Sequence, residues 1–103
     1  MKTRILYVED ESDLGNVTKQ YLEMMGFEVY WALDGTTALK AYGQAQFDIS
    51  IIDIQLPDTD GFALAKQISL INEQAHFLFL TARNMKEDKI KGQQLGAFDY
   101  ITK

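Results

Sequence analysis

Two apolar runs of this chain end in acids. Arg4-Ile5-Leu6-Tyr7-Val8 runs into Glu9-Asp10, and Phe47-Asp48-Ile49-Ser50-Ile51-Ile52 runs into Asp53. Two more end in other polar groups: His76-Phe77-Leu78-Phe79-Leu80 in the hydroxyl of Thr81, and Phe98-Asp99-Tyr100-Ile101-Thr102 in the amine of Lys103. In an open parallel sheet the carboxyl ends of the strands open onto one crevice, so these groups can meet there. Carboxylates about 4 Å apart repel by roughly 4 kcal/mol at an effective dielectric of about 20. A hard divalent cation relieves that repulsion, and Mg2+ favours one or two carboxylates with waters and phosphate oxygens. The Lys103 amine adds a second cation. The Thr81 hydroxyl and the Ala82 backbone N–H, at a strand-to-helix turn, suit phosphate oxygens. A carboxylate can itself be a nucleophile and form an acyl phosphate. Asp53 is the candidate, because the other acids flank it from a neighbouring strand.

The elements that must position these groups alternate along the chain. After Val8, Ser12 is the expected N-cap of a helix with Glu11 and Asp13 at its start. Leu14, Val17, Tyr21 and Leu22 recur at helical spacing, Met24 and Met25 extend the stripe, and Gly26 is the expected stop. Met24, Met25 and Trp31 are expected in the core. Phe27 to Trp31 reads as a short strand. Asp34-Gly35 marks a turn, and Thr36 or Thr37 is expected to cap a helix holding Ala38, Leu39 and Tyr42 that fades at Gly43. Phe47 to Ile52 is apolar almost throughout, as in a strand buried on both faces. Pro57 ends regular structure there. Asp60 caps a helix with Leu64, Ala65, Ile68 and Ile71 inward. The strand from His76 to Leu80 precedes a polar helix over Met85–Leu95, stopped by Gly96, and a last strand over Phe98–Thr102. Five strands and four helices in strict alternation predict an α/β fold: a doubly wound parallel sheet with right-handed crossovers and helices on both faces.

Composition narrows the classes. The chain has 103 residues and 47% hydrophobic content, enough for one small domain with a single core. With no cysteine, disulfides, thiolate zinc sites and cysteine nucleophiles are excluded. The net charge of −5 (15 acids against 10 bases) disfavours direct binding to nucleic acid or an anionic membrane. No apolar stretch has the length of a signal peptide or membrane span, so a cytoplasmic location is expected.

Four motifs in this order carry a resemblance: Glu9-Asp10 after the first strand, Asp53-x-x-Leu56-Pro57-x-x-Asp60-Gly61, Thr81-Ala82, and Gly96-Ala97-x-Asp99-Tyr100-Ile101-Thr102-Lys103. Over Met1–Lys103 the chain resembles the receiver domain of bacterial two-component response regulators. Leu56 and the Tyr-Ile-Thr-Lys ending are most similar to the receivers of winged-helix transcription factors. The resemblance implies a five-stranded sheet of order 2-1-3-4-5. It implies that Asp53 accepts a phosphoryl group from a partner sensor histidine kinase. Mg2+ would be held by Asp10, Asp53 and the backbone carbonyl of Gln55, with Glu9 acting through water. Lys103, Thr81 and Ala82 would bind phosphate. Thr81 and Tyr100 would move on phosphorylation and remodel the surface of the fourth helix and fifth strand, which is also an expected homodimer surface. Gln55 and Arg83 occupy positions that tune phosphoryl lifetime, and a bulky Gln with a cationic Arg implies a long-lived state. Asp58 is expected to add cation attraction beside the crevice. The resemblance also implies a fifth helix beyond Lys103. Residues 1–103 are therefore expected to be a receiver domain truncated before it, marginal in stability or pairing through the uncovered face.

Each residue alone has a blander reading. A strand-end Asp is commonly a turn or cap residue, Glu9-Asp10-Glu11 an acidic helix start, Thr81 a cap, Tyr100 an edge-strand aromatic and Lys103 a solvated terminus. His76 has no companion at metal-ligand spacing. Two other functions compete. A small phosphatase with an aspartyl nucleophile needs a second acid two residues on as proton donor, and Gln55 cannot fill that role. A flavodoxin-like cofactor binder needs a phosphate loop rich in Ser, Thr or Gly after the first strand, where Glu9-Asp10-Glu11-Ser12-Asp13 would repel phosphate.

Overall fold

The computed structural model describes residues 2–81 and 97–102, with side chains through residue 80. In chain order the elements are β1 (Arg4–Val8), α1 (Ser12–Met24), β2 (Glu28–Ala32), α2 (Gly35–Gln44), β3 (Ile49–Asp53), α3 (Gly61–Ile71), β4 (Phe77–Thr81) and β5 (Ala97–Thr102). The helix expected over Met85–Leu95 lies outside the described residues. All strand pairs are parallel, and the sheet order is β2-β1-β3-β4-β5. The doubly wound arrangement expected from the alternation is therefore present.

Alternation along the central strands sends side chains to opposite faces. Leu6 and Val8 of β1, Ile52 of β3, and Phe77 and Phe79 of β4 join Ala38, Ala41 and Tyr42 of α2 and Phe62, Leu64, Ala65 and Ile68 of α3 in the larger core. Ile5, Tyr7 and Ile51 point to the other face, with Leu22 of α1 and Trp31 of β2 packed against them. The strands are apolar on both sides; α2 and α3 bury one face, and on the face of α1 Ile49, Leu78 and Leu80 are only partly buried.

The ends of the helices depart from the expected caps. Ser12 is the first residue of α1; Glu11 takes the N-cap position and makes no side-chain cap bond. Asp34, not a threonine, caps α2, its side chain accepting from the Thr37 N–H. The caps are displaced by one to three residues, because Ser, Thr and Asp all cap well and residue type alone does not select among neighbours. Asp60 caps α3 as expected, accepting from the Ala63 N–H. Gly26 follows α1 at φ 98°, a conformation in which a side chain is strained.

The α1 stripe is also corrected. Met24 and Met25 are 85% and 61% exposed, and Val17 and Tyr21 are exposed too. Gly15 is buried, and Leu22 packs against the sheet. A 3.6-residue period identifies an apolar face, but only packing decides which part of it is covered.

Removing buried and exposed apolar groups should separate these faces. Ile68→Ala, at a fully buried position, is expected to cost about 2–5 kcal/mol, whereas Met24→Ala should stay within about 0.5 kcal/mol of the parent. Urea denaturation of the two variants checks this; equal losses would contradict the packing.

Candidate functional site

Glu9, Asp10 and Asp53 each present a carboxylate oxygen, and these oxygens lie within 4.8 Å of one another. β1 and β3 are neighbours, with Val8 opposite Ile52, so the residues that follow emerge side by side at the carboxyl edge of the sheet. Glu9 is 0% and Asp53 4% exposed, while Asp10 is exposed. Anions buried this deeply require compensation by charge or hydrogen bonds. An acid cluster at hard-oxygen spacing, open to solvent through Asp10, suits a divalent cation of the Mg2+ type.

Hydrogen bonds hold two of the acids. The Gln55 N–H donates to Asp53 Oδ1 at 3.1 Å and sets the rotation of that carboxylate. Glu9 Oε2 accepts from the Glu11 N–H at 3.3 Å, and Glu9 Oε1 accepts from the Tyr7 hydroxyl at 3.5 Å. Tyr7 and Glu9 share a face because they are two residues apart on an extended chain.

The loop after β3 is tied at both ends. The Gly61 N–H donates to the Ile54 carbonyl at 2.7 Å, and Gln55 and Asp60 form an antiparallel bridge. A Cβ at Gly61 would lie 2.5 Å from the Asp53 carbonyl oxygen, so only glycine permits this close return of the chain. Asp58, expected to add cation attraction beside the crevice, is also engaged by the start of α2. Its carboxylate accepts from the Gly35 N–H (2.9 Å), the Thr36 N–H (3.0 Å) and the Thr36 hydroxyl (2.8 Å). It thus neutralises the positive N-terminal end of α2 and latches the β3–α3 loop to that helix. A Cβ at Gly35 would come 2.6 Å from Thr59 Cγ2, which explains the glycine of the Asp34-Gly35 pair as a close approach as well as a turn.

Of the expected site residues, Glu9, Asp10 and Asp53 are brought together, and the backbone of Gln55 adjoins them. β4 and β5 pair so that Thr81 lies opposite Thr102 and Phe79 opposite Tyr100. The strands of Thr81 and Tyr100 therefore run beside β3. The side chains of Thr81 and Tyr100, and all of Ala82, Arg83 and Lys103, lie outside what the structure describes. Tyr7, Trp31 and Asp58 were not assigned these contacts by their sequence context. Only Tyr7 carried a local signal, its two-residue spacing from Glu9.

The fold and site define a class: a doubly wound α/β domain with an acid cluster at the strand ends. Residues 5–103 match the family model described as the response regulator receiver domain. The chain belongs to that family. It is 38% identical to the transcriptional regulatory protein RprY of Bacteroides fragilis over 99% of its own length and 43% of that protein's. It is 37% identical to the alkaline phosphatase synthesis transcriptional regulatory protein PhoP of Bacillus subtilis over 100% of its length and 43% of that protein's. The chain therefore spans less than half the length of these relatives. Among solved structures, the non-phosphorylated HemR receiver domain from Leptospira biflexa matches with TM-score 0.93 at 39% identity, covering 99% of this chain and 82% of that one. The response regulator TrrA from Thermotoga maritima in complex with Mg2+-BeF matches with TM-score 0.88 at 31% identity, covering 100% and 87%. No helix among the described residues is long and apolar enough to cross a membrane.

The Asp58 latch has a pH signature. The Gly35 N–H first, then the Thr36 hydroxyl, hold the Asp58 carboxyl below its ordinary value of 3.8. A lowered folded pKa gives a contribution that is complete above 3.8 and is lost as pH falls through the folded value. Asp58→Ala should therefore lower the denaturation midpoint at pH 7, modestly because the group is solvent-screened. The gap to wild type should close as the pH drops below 3.8. Parallel denaturation curves across acid pH check the trend; a gap that is constant with pH would contradict it.

Proposed function

We propose that this receiver domain, residues 1–103, is the phosphoacceptor switch of a two-component pathway in the cytoplasm, with Asp53 as the acceptor. The observation that carries the reading is the packing of three carboxylates within 4.8 Å, with Asp53 nearly buried and held by the Gln55 N–H. In transfer from a phosphohistidine of the sensor kinase, an oxygen of Asp53 forms the bond to phosphorus as the nitrogen–phosphorus bond breaks. The histidine nitrogen keeps that electron pair, and the product is an acyl phosphate.

Asp10, Asp53 and the carbonyl of Gln55 would hold Mg2+ directly, and Glu9 through water. When bound, the ion neutralises the gathered carboxylates and the incoming phosphate oxygens. The magnesium complex of the Thermotoga relative supports that choice of ion. Ala82, Lys103 and the Thr81 hydroxyl would receive the phosphoryl oxygens. A phosphoryl group adds about −1.5 to −2 charges, and the conformation that offers it donors is the one populated. Thr81 and Tyr100 are the moving pair, and the surface around the fourth helix and β5 is the output, where a second copy would pair. A DNA-binding segment as the downstream partner is supported by the transcriptional regulators among the relatives. The domain's catalysis is confined to gain and loss of its own phosphoryl group. Gln55 and Arg83 would shield that group from water and prolong its life.

The test is incubation with a small-molecule phosphodonor and Mg2+, followed by intact-mass measurement. One phosphoryl group is expected on wild type and none on Asp53→Ala; labelling that survives the substitution would overturn the assignment. Purified phosphoprotein should retain its label longer than Gln55→Ala or Arg83→Ala, and a shorter or equal half-life would reject the shielding role.

A further inference from the structure

We infer that Trp31 is a positioning residue for the metal site, acting through the backbone of Glu9. The inference rests on the reading of Glu9, Asp10 and Asp53 as the Mg2+ cradle.

Trp31 lies on β2 opposite Tyr7 of β1, so its side chain shares the face of Tyr7 and Glu9. Its indole Nε1–H donates to the Glu9 carbonyl at 2.9 Å. The next residue of β2 completes the grip, since the Ala32 carbonyl accepts the Glu9 N–H at 3.0 Å. The strand ladder formally ends at Val8 and Ala32, and Trp31 extends it by one bond using a side chain. The carbonyl it holds belongs to the peptide unit that continues into Asp10. Fixing that plane sets where both the Glu9 and Asp10 side chains leave the backbone.

Helix α1 is shaped to admit the indole. A Cβ at Gly15 would lie 2.1 Å from Trp31 Cζ2 and 2.3 Å from Cε2, so the ring rests directly on the glycine backbone. Gly15 is otherwise a poor helix residue, costing roughly 0.8–1 kcal/mol relative to Ala. Its presence in the first turns of α1 is explained by room for the ring. Aligning a ligand-bearing loop by a hydrogen bond from outside the ligand set is a common device at metal sites.

The test uses this chain and two variants. Trp31→Phe keeps an aromatic ring against Gly15 and removes the donor. Gly15→Ala favours helix but displaces the indole. Mg2+ titrations followed by the amide resonances of residues 9–11 should show a midpoint about three- to tenfold weaker in each variant. Phosphorylation at saturating Mg2+ should recover to the wild-type rate, because alignment and not the reacting group is altered. In the wild type the indole Nε1–H resonance, unique because the chain has one tryptophan, should shift with the same midpoint as those amides. That measurement decides the matter if a variant fails to fold. Mg2+ affinity within twofold of wild type in Trp31→Phe, or an indole resonance unmoved through Mg2+ saturation, would overturn the role of Trp31 and leave the metal site standing. A wild type that binds no Mg2+ would overturn the metal site and this inference together.

Discussion

Like charges held close govern this domain. Three carboxylate oxygens lie within 4.8 Å of one another, and two of the acids are buried. At that spacing each charged pair repels by about 3–4 kcal/mol at an effective dielectric of roughly 20. The cost falls on a small domain, whose net stability is on the order of 5–15 kcal/mol. The hydrophobic packing of β1, β3 and β4 between helices outweighs the repulsion. The side chains that hold the strands together are Leu6, Val8, Ile52, Phe77 and Phe79 on one face and Ile5, Tyr7 and Ile51 on the other. The gathered negative charge is what suits the site to a cation, and the core is what makes it tolerable.

Both acid-bearing loops are restrained from outside. The segment after β1 is gripped from β2 by Trp31 and Ala32. The segment after β3 is closed on itself by Ile54 and Gly61 and latched to α2 by Asp58. Chain segments that would move apart under mutual repulsion are thereby kept in one arrangement, and less ordering entropy remains to be lost when a cation binds. The other side of the crevice, β4 and β5, carries the residues assigned to signalling. Under the proposed function, restraint on the acid side would leave the response to a local charge change to Thr81 and Tyr100.

Much of this was legible in order along the chain. Strand ends, acids and the Pro57 and Gly61 punctuation are local facts, and β3 was recognisable from a run that is apolar almost throughout. The parallel sheet followed from alternation. Legibility failed where a polar group had several local uses. Asp58 stands near Asp53 in sequence and reads as one more acid at the crevice, yet its carboxylate accepts from the first N–H groups of α2, more than twenty residues earlier in the chain. Met24 and Met25 read as core because periodicity marks a face without saying what covers it.

By itself the sequence determined which segments extend, which coil and which side chains stand at the strand ends, because those depend on backbone preference and residue spacing within a few positions. The tertiary structure alone decided that Glu9, Asp10 and Asp53 converge, that Trp31 reaches the Glu9 carbonyl and that Asp58 serves α2. Those contacts join residues 22 to 44 positions apart. Their partners are selected by strand register and helix placement, which arise only when the whole sheet assembles.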